Sequence, residues 1–209
     1  MLRMLFGVAL SSLVAVTASA QIRDPCLNFP CPALQGCTAP ADAPSCVADP
    51  VSACPVVTVY THGKMDGFAP PPDPTTPSAA LTAFLGPTRS QYDTPGCNRH
   101  FGDSFPVSCL RCQFCDAKVE IHLKPCAAGT GPTNDDYVIG VAPFTTAGTI
   151  VSGRIWAPGV TPSEKILVVT LPAAKLNALL CKAPRPGTLD VYVEDDTIVD
   201  WVRVTLHSQ

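Results

Sequence analysis

Between Ala117 and Lys124 apolar and polar residues alternate without a break. Ala117, Val119, Ile121 and Leu123 fall on one side, and Lys118, Glu120, His122 and Lys124 on the other. A period of two separates faces only in a β-strand, so this segment predicts a half-buried strand with one wet face. Further strand signals follow at Tyr137 to Val141, Thr149 to Trp156 (broken by Gly153), Thr188 to Val193 and Ile198 to Leu206. The last two flank Glu194-Asp195-Asp196-Thr197, which reads as a hairpin turn. Lys165 to Leu171 is apolar on both faces and predicts a central strand covered on both sides. Residues 55–60 add a β-branched run upstream. Helix signals are few. Ala173 to Cys181, after Pro172, places Leu176, Leu179 and Leu180 on one face, and residues 78–85 make one or two turns with Ser78 as N-cap. About seven short strands with so little helix predict a mainly β chain. The expected fold is an antiparallel β-sandwich, jelly-roll or Ig-like, with one short helix, preceded by a small disulfide-rich segment.

Residues 1–20 read as a secretory signal peptide, with Arg3 at its positive start, an apolar run from Leu5 to Val16, and Ala18-Ser19-Ala20 as the cleavage site. A retained anchor is the competing reading, and the run is too short to span a bilayer. No later apolar stretch is long enough either. All 11 cysteines follow the cleavage site, as expected of a secreted protein in an oxidising compartment. A net charge of −3 disfavours nucleic acid as a partner, since that needs a basic field. The expected organisation is a Cys-rich segment at 21–54, a first strand and Pro-rich linker at 55–108, and the main part of the sandwich at 109–209.

Cys26, Cys31, Cys37, Cys46 and Cys54 crowd a segment with no periodic apolar residues, so disulfides must replace a core there. The run Asp24-Pro25-Cys26-Leu27-Asn28-Phe29-Pro30-Cys31 resembles the opening of an EGF-like module. The resemblance implies Cys26–Cys37 and Cys31–Cys46 pairs, and it ends at Cys46-Val47, where the family's C-x-C and final loop are missing. Farther on, Val119 to Pro125, Asn134-Asp135-Asp136, Leu189 to Thr197, Val199-Asp200 and Arg203-Val204-Thr205 resemble a β-sandwich domain of secreted surface proteins. That family's function is uncharacterised, and it implies no activity and no site residues. Cys109, Cys112 and Cys115 form C-x2-C-x2-C, which suggests zinc or an iron–sulfur cluster inside a cell and disulfides outside it. They join Cys54, Cys97, Cys126 and Cys181 in pairs the sequence leaves open. The odd total leaves one thiol to be buried or to link a second chain as a dimer.

The acidic turns are the best candidates for chemistry. Asn134, Asp135 and Asp136 lie at one turn, and Asp195, Asp196 and Asp200 at or near another. Calcium takes six to eight hard oxygens of this kind, and two facing loops would supply them. Asx-turns are the competing use of the same residues. Counting in twos from Ile198 puts Asp200 on the apolar face with Val202, Val204 and Leu206, where a carboxylate needs a partner. His62, His100, His122 and His207 form neither H-x-H nor H-E-x-x-H, and His122 reads as solvated on the polar face of its strand. No G-x-S-x-G occurs. Glu120 with Asp195 is the nearest approach to a glycosidase carboxylate pair. Trp201 and Tyr192 would stack a sugar ring if exposed, and otherwise cover the sheet. The expected role is a non-enzymatic surface, matrix or adhesion module binding an extracellular protein or glycan, with Ca2+ as a stabiliser. A small carbohydrate-active enzyme and a structural coat component are the alternatives.

Overall fold

The computed structural model describes residues 56–95, 97–107, 113–126, 136–181, 185–194 and 196–209. The expected signal peptide and EGF-like segment, with Cys26, Cys31, Cys37, Cys46 and Cys54, lie outside the described residues. So do Cys109, Cys112, Asn134, Asp135 and Asp195.

The described strands are β1 (Val56–His62), β2 (Phe101–Pro106), β3 (Phe114–Pro125), β4 (Asp136–Gly140), β5 (Thr149–Arg154), β6 (Lys165–Leu171), β7 (Thr188–Val193) and β8 (Thr197–Ser208). Helix α1 (Ala79–Leu85) lies between β1 and β2, and α2 (Ala173–Leu180) follows β6. The antiparallel pairs β1 with β8, β2 with β7, β3 with β6 and β4 with β5 are those of one long hairpin bent at its middle. Pairing of β8 with β3 and of β7 with β4 rolls that hairpin into two sheets, ordered β1-β8-β3-β6 and β2-β7-β4-β5. This strand order is a jelly roll, one of the two sandwich types expected.

The core lies between the sheets. Val119, Ile121 and Leu123 of β3 and Val202, Val204 and Leu206 of β8 face Phe101 and Phe105 of β2, Leu189, Val191 and Val193 of β7, Ile139 and Ile150. The alternation of Ala117–Lys124 is realised as read, with its apolar members in this core. Leu176 and Leu180 of α2 close one side of it. Asn177 of α2 accepts from the Phe114 N–H and donates to the Phe114 carbonyl, both at 2.8 Å, completing the backbone bonds of β3 where its register shifts.

Four expectations are corrected. The turn after β7 does not close a hairpin, because β7 and β8 belong to different sheets and the turn crosses between them. Among the described strands β6 lies at the edge of its sheet, not at its centre, and its Ile166 and Val168 face solvent. Both segments read as helical form α-helices among the described residues, where the fold-class expectation counted one short helix. The Pro-rich stretch does not run clear of the sandwich as a linker. Asp73 is buried, the Thr76 N–H and hydroxyl donate to Asp103 of β2, and the Ser78 N–H donates to the Ser104 hydroxyl. Helix α1 starts from that anchor, with the Ser78 hydroxyl accepting from the Leu81 N–H. Its Leu81 and Leu85 cover the outer face of β2 at Gly102, where a Cβ would lie 2.7 Å from Leu85 Cδ1.

Candidate functional site

The alternation of β8 breaks at Asp200. On β3, His122 pairs with Trp201 and Leu123 with Val199, so Asp200 is the extra residue of a β-bulge. The bulge turns Val199 into the core beside Val202 and turns Asp200 away from it. Asp200 is therefore buried, as expected, but on the outer side of the sheet with His122, and not on the apolar face. Its Oδ2 lies 2.7 Å from His122 Nδ1, and its Oδ1 accepts from the Phe68 N–H at 3.2 Å.

Two further segments cover this carboxylate. The loop after β1 enters at Gly63, in the left-handed region at φ +76°, where a Cβ would fall 2.3 Å from the Asp200 carbonyl oxygen. Only glycine fits so close an approach. The same loop brings Asp66, whose Oδ1 accepts from the Ala69 N–H. The second segment is the turn at Tyr92-Asp93. Asp93 has φ 57° and its N–H donates to the Val199 carbonyl at 2.8 Å, which fixes it beside the bulge. Carboxylate oxygens of Asp66, Asp93 and Asp200 lie within 4.8 Å of one another. Asp66 is exposed, whereas Asp93 is 5% and Asp200 1% exposed.

The electrostatics are lopsided. Both oxygens of Asp93 are buried without a hydrogen-bond partner. Burial, then the proton it would share with Asp200, then Asp200's charge push the Asp93 carboxyl up to about 7. Two neighbouring cations are engaged elsewhere. Lys64 is paired with Asp73, whose hydrogen bond and charge hold its ammonium above the usual value. Lys124 sits over the Phe68 ring at 4.0 Å. His122 is not solvated as expected. It is half-buried against Phe68 and Trp201, with Nε2 at 3.1 Å from Glu164.

The other expected ligands are placed differently. Asp136 opens β4 in the opposite sheet, where its carbonyl accepts from the Glu194 N–H. Asp196 has φ 56°, and its Oδ1 accepts from the Asn98 N–H at 3.2 Å. It lies beside Cys97 and Cys126, which are joined as a disulfide and so offer no thiolate to a metal. Asp200 alone of the described expected ligands joins the convergent group, and Asp66 and Asp93 were missed. Glu120 is ion-paired with Lys118 at 3.2 Å. Trp201 and Tyr192 are 7% and 9% exposed, so neither offers a ring face for a sugar.

A second polar cluster ties the sheets together. Asp103, fully buried, accepts from Tyr92 Oη at 2.6 Å and lies 2.8 Å from His62 Nδ1. Burial opposes its ionisation, and the bonds from His62, Tyr92 and Thr76 outweigh burial and hold the carboxyl below its ordinary value. Burial, then Asp103, raise the Tyr92 hydroxyl well above its own.

No protein-family model matches this chain, and searches of curated proteins and of solved structures returned no significant match.

Proposed function

We propose that the chain is a secreted, non-enzymatic surface, matrix or adhesion module, and that it binds an extracellular protein or glycan through the outer face of the β1-β8-β3-β6 sheet. The observation that carries this reading is the unequal cover of the two sheets. The outer face of β2 and β7 is buried under α1, through Leu81, Leu85 and Tyr192. Among the described residues the outer face of the other sheet is uncovered along its edges, with Val57 56%, Val59 54%, Ile166 51% and Val168 55% exposed. The register places these aliphatic residues on either side of a charged centre. Val59 aligns with Thr205 and Lys118, and Thr61 with Arg203, Glu120 and Val168. A broad face with apolar margins and an ion-paired middle suits a protein surface or an extended glycan.

The test is a screen of the purified chain against arrays of extracellular matrix proteins and glycans, repeated with Val57→Asp/Val59→Asp. A partner held by the wild type and bound at least tenfold more weakly by the variant, with an unchanged Tm, supports the proposal. Equal binding by both proteins, or turnover of a glycan by the wild type, overturns it.

A further inference from the structure

The geometry points to a calcium-binding site formed by Asp66, Asp93 and Asp200, on the same side of the β1-β8-β3-β6 sheet as the face proposed above but where the loop after β1 covers it. Three carboxylates from three separate segments converge within 4.8 Å. A surface cluster of that kind means little, because water screens it. Here two of the three are buried, and one of them has no donor: both oxygens of Asp93 lie out of water without a hydrogen-bond partner. Leaving a buried charge unpaired is among the costliest arrangements available to a protein. A bound cation removes the cost with both carboxylates ionised, as a proton shared between Asp93 and Asp200 does with one ionised.

The donor set selects the cation. All three groups are hard oxygens, with neither thiolate nor imidazole among the convergent atoms, and that favours calcium over zinc or copper. His122 Nδ1 lies 2.7 Å from Asp200 Oδ2, and an imidazole so placed can orient a ligating carboxylate. Asp66 is exposed, so water is at hand to complete the six to eight ligands that calcium takes. Two cationic side chains border the cluster without entering it, Lys64 held by Asp73 and Lys124 over Phe68. Calcium bound there would clamp the loop after β1 and the Tyr92-Asp93 turn onto the bulge of β8.

The test uses the whole purified chain. Calcium binding is measured by isothermal titration, and thermal unfolding is followed in EDTA, in calcium and in magnesium. One Ca2+ per chain and a Tm raised by roughly 5–10 °C at about 100 times Kd are expected. Magnesium at the same concentration is expected to do little. Asp93→Asn and, separately, the exposed Asp66→Asn should abolish the calcium-dependent shift. Asp196→Asn, at the disulfide-linked turn, should keep it. The amide introduced by Asp93→Asn can donate to Asp200, so that variant should remain folded without metal, and Asp66→Asn gives the same reading at an exposed position. No binding at millimolar calcium, a shift that survives both Asp66→Asn and Asp93→Asn, or an equal response to magnesium overturns the assignment. The proposal about the sheet face is read separately, at Val57 and Val59 and without metal, so either can fail alone.

Discussion

At the scale of single residues, the buried polar groups divide by whether they have donors. Asp103 has them in excess, from His62, Tyr92, Thr76 and the Ser104 N–H, and its carboxyl is held below the ordinary value. A depressed carboxylate adds stability that is present above its unfolded pKa, about 4, and is lost as pH falls through the lower folded value. Asp103→Asn should therefore cost about 1.5–3 kcal/mol at pH 7, the worth of hydrogen bonds to a charged group. The difference between wild type and variant should shrink as urea unfolding is repeated below about pH 4. A constant difference across that range would mean that Asp103 acts by shape and not by charge. Asp200 shows how far single residues can be read in advance. Its burial and its need for a partner followed from counting along the strand. Its direction did not, because one extra residue opposite His122 and Leu123 inverts the count. Asp66 and Asp93 had no sequence signal, since they lie in stretches without periodicity and meet Asp200 only through the fold.

At the scale of elements, period-two alternation placed β3, and apolar runs placed β1 and β4 to β8, because each signal is local. β2 was hidden. Its sequence Phe101-Gly-Asp-Ser-Phe-Pro carries glycine and two polar residues, which sequence reading assigns to loops. Here Gly102 admits α1, and Asp103 and Ser104 serve buried networks. β6 failed in the opposite sense. Ile166 and Val168 look like buried positions, yet they belong to the wet face of an edge strand. Whether a β-branched residue faces core or water is decided by the sheet's neighbours, which the strand's own sequence does not contain. A paired substitution measures the assignment. Leu171→Ala, at a fully buried position, should lower stability by about 2–5 kcal/mol in urea unfolding. Val168→Thr, three residues earlier on the exposed face, should change it by no more than about 0.5 kcal/mol. Comparable losses at the two positions would restore the central-strand reading of β6.

At the scale of the whole molecule, the jelly roll binds the first described strand to the last. β8 lies between β1 and β3, and β1 has no other partner among the described strands of its sheet. β8 also contributes Val199, Val202, Val204 and Leu206 to the core. Each such side chain is worth about 1.5–3 kcal/mol of burial, so the four together rival the roughly 5–15 kcal/mol that stabilises a typical domain. They are supplied by a strand that follows all the other described strands. A fold closed in this way has no stable subset upstream, and such non-local pairing is slow, in the millisecond-to-second range. A chain ending at Glu194 should therefore show no cooperative thermal transition, and should be cut by a nonspecific protease under conditions that spare the full chain. The Cys97–Cys126 disulfide, which spans 29 residues, lies wholly upstream of that end and would still be able to form. It restricts the unfolded chain by about 2–4 kcal/mol but supplies neither a partner for β1 nor the core side chains of β8. A sharp unfolding transition in the shortened protein would show instead that β2 to β7 hold together alone, and that β1 and β8 are added to a sandwich already formed.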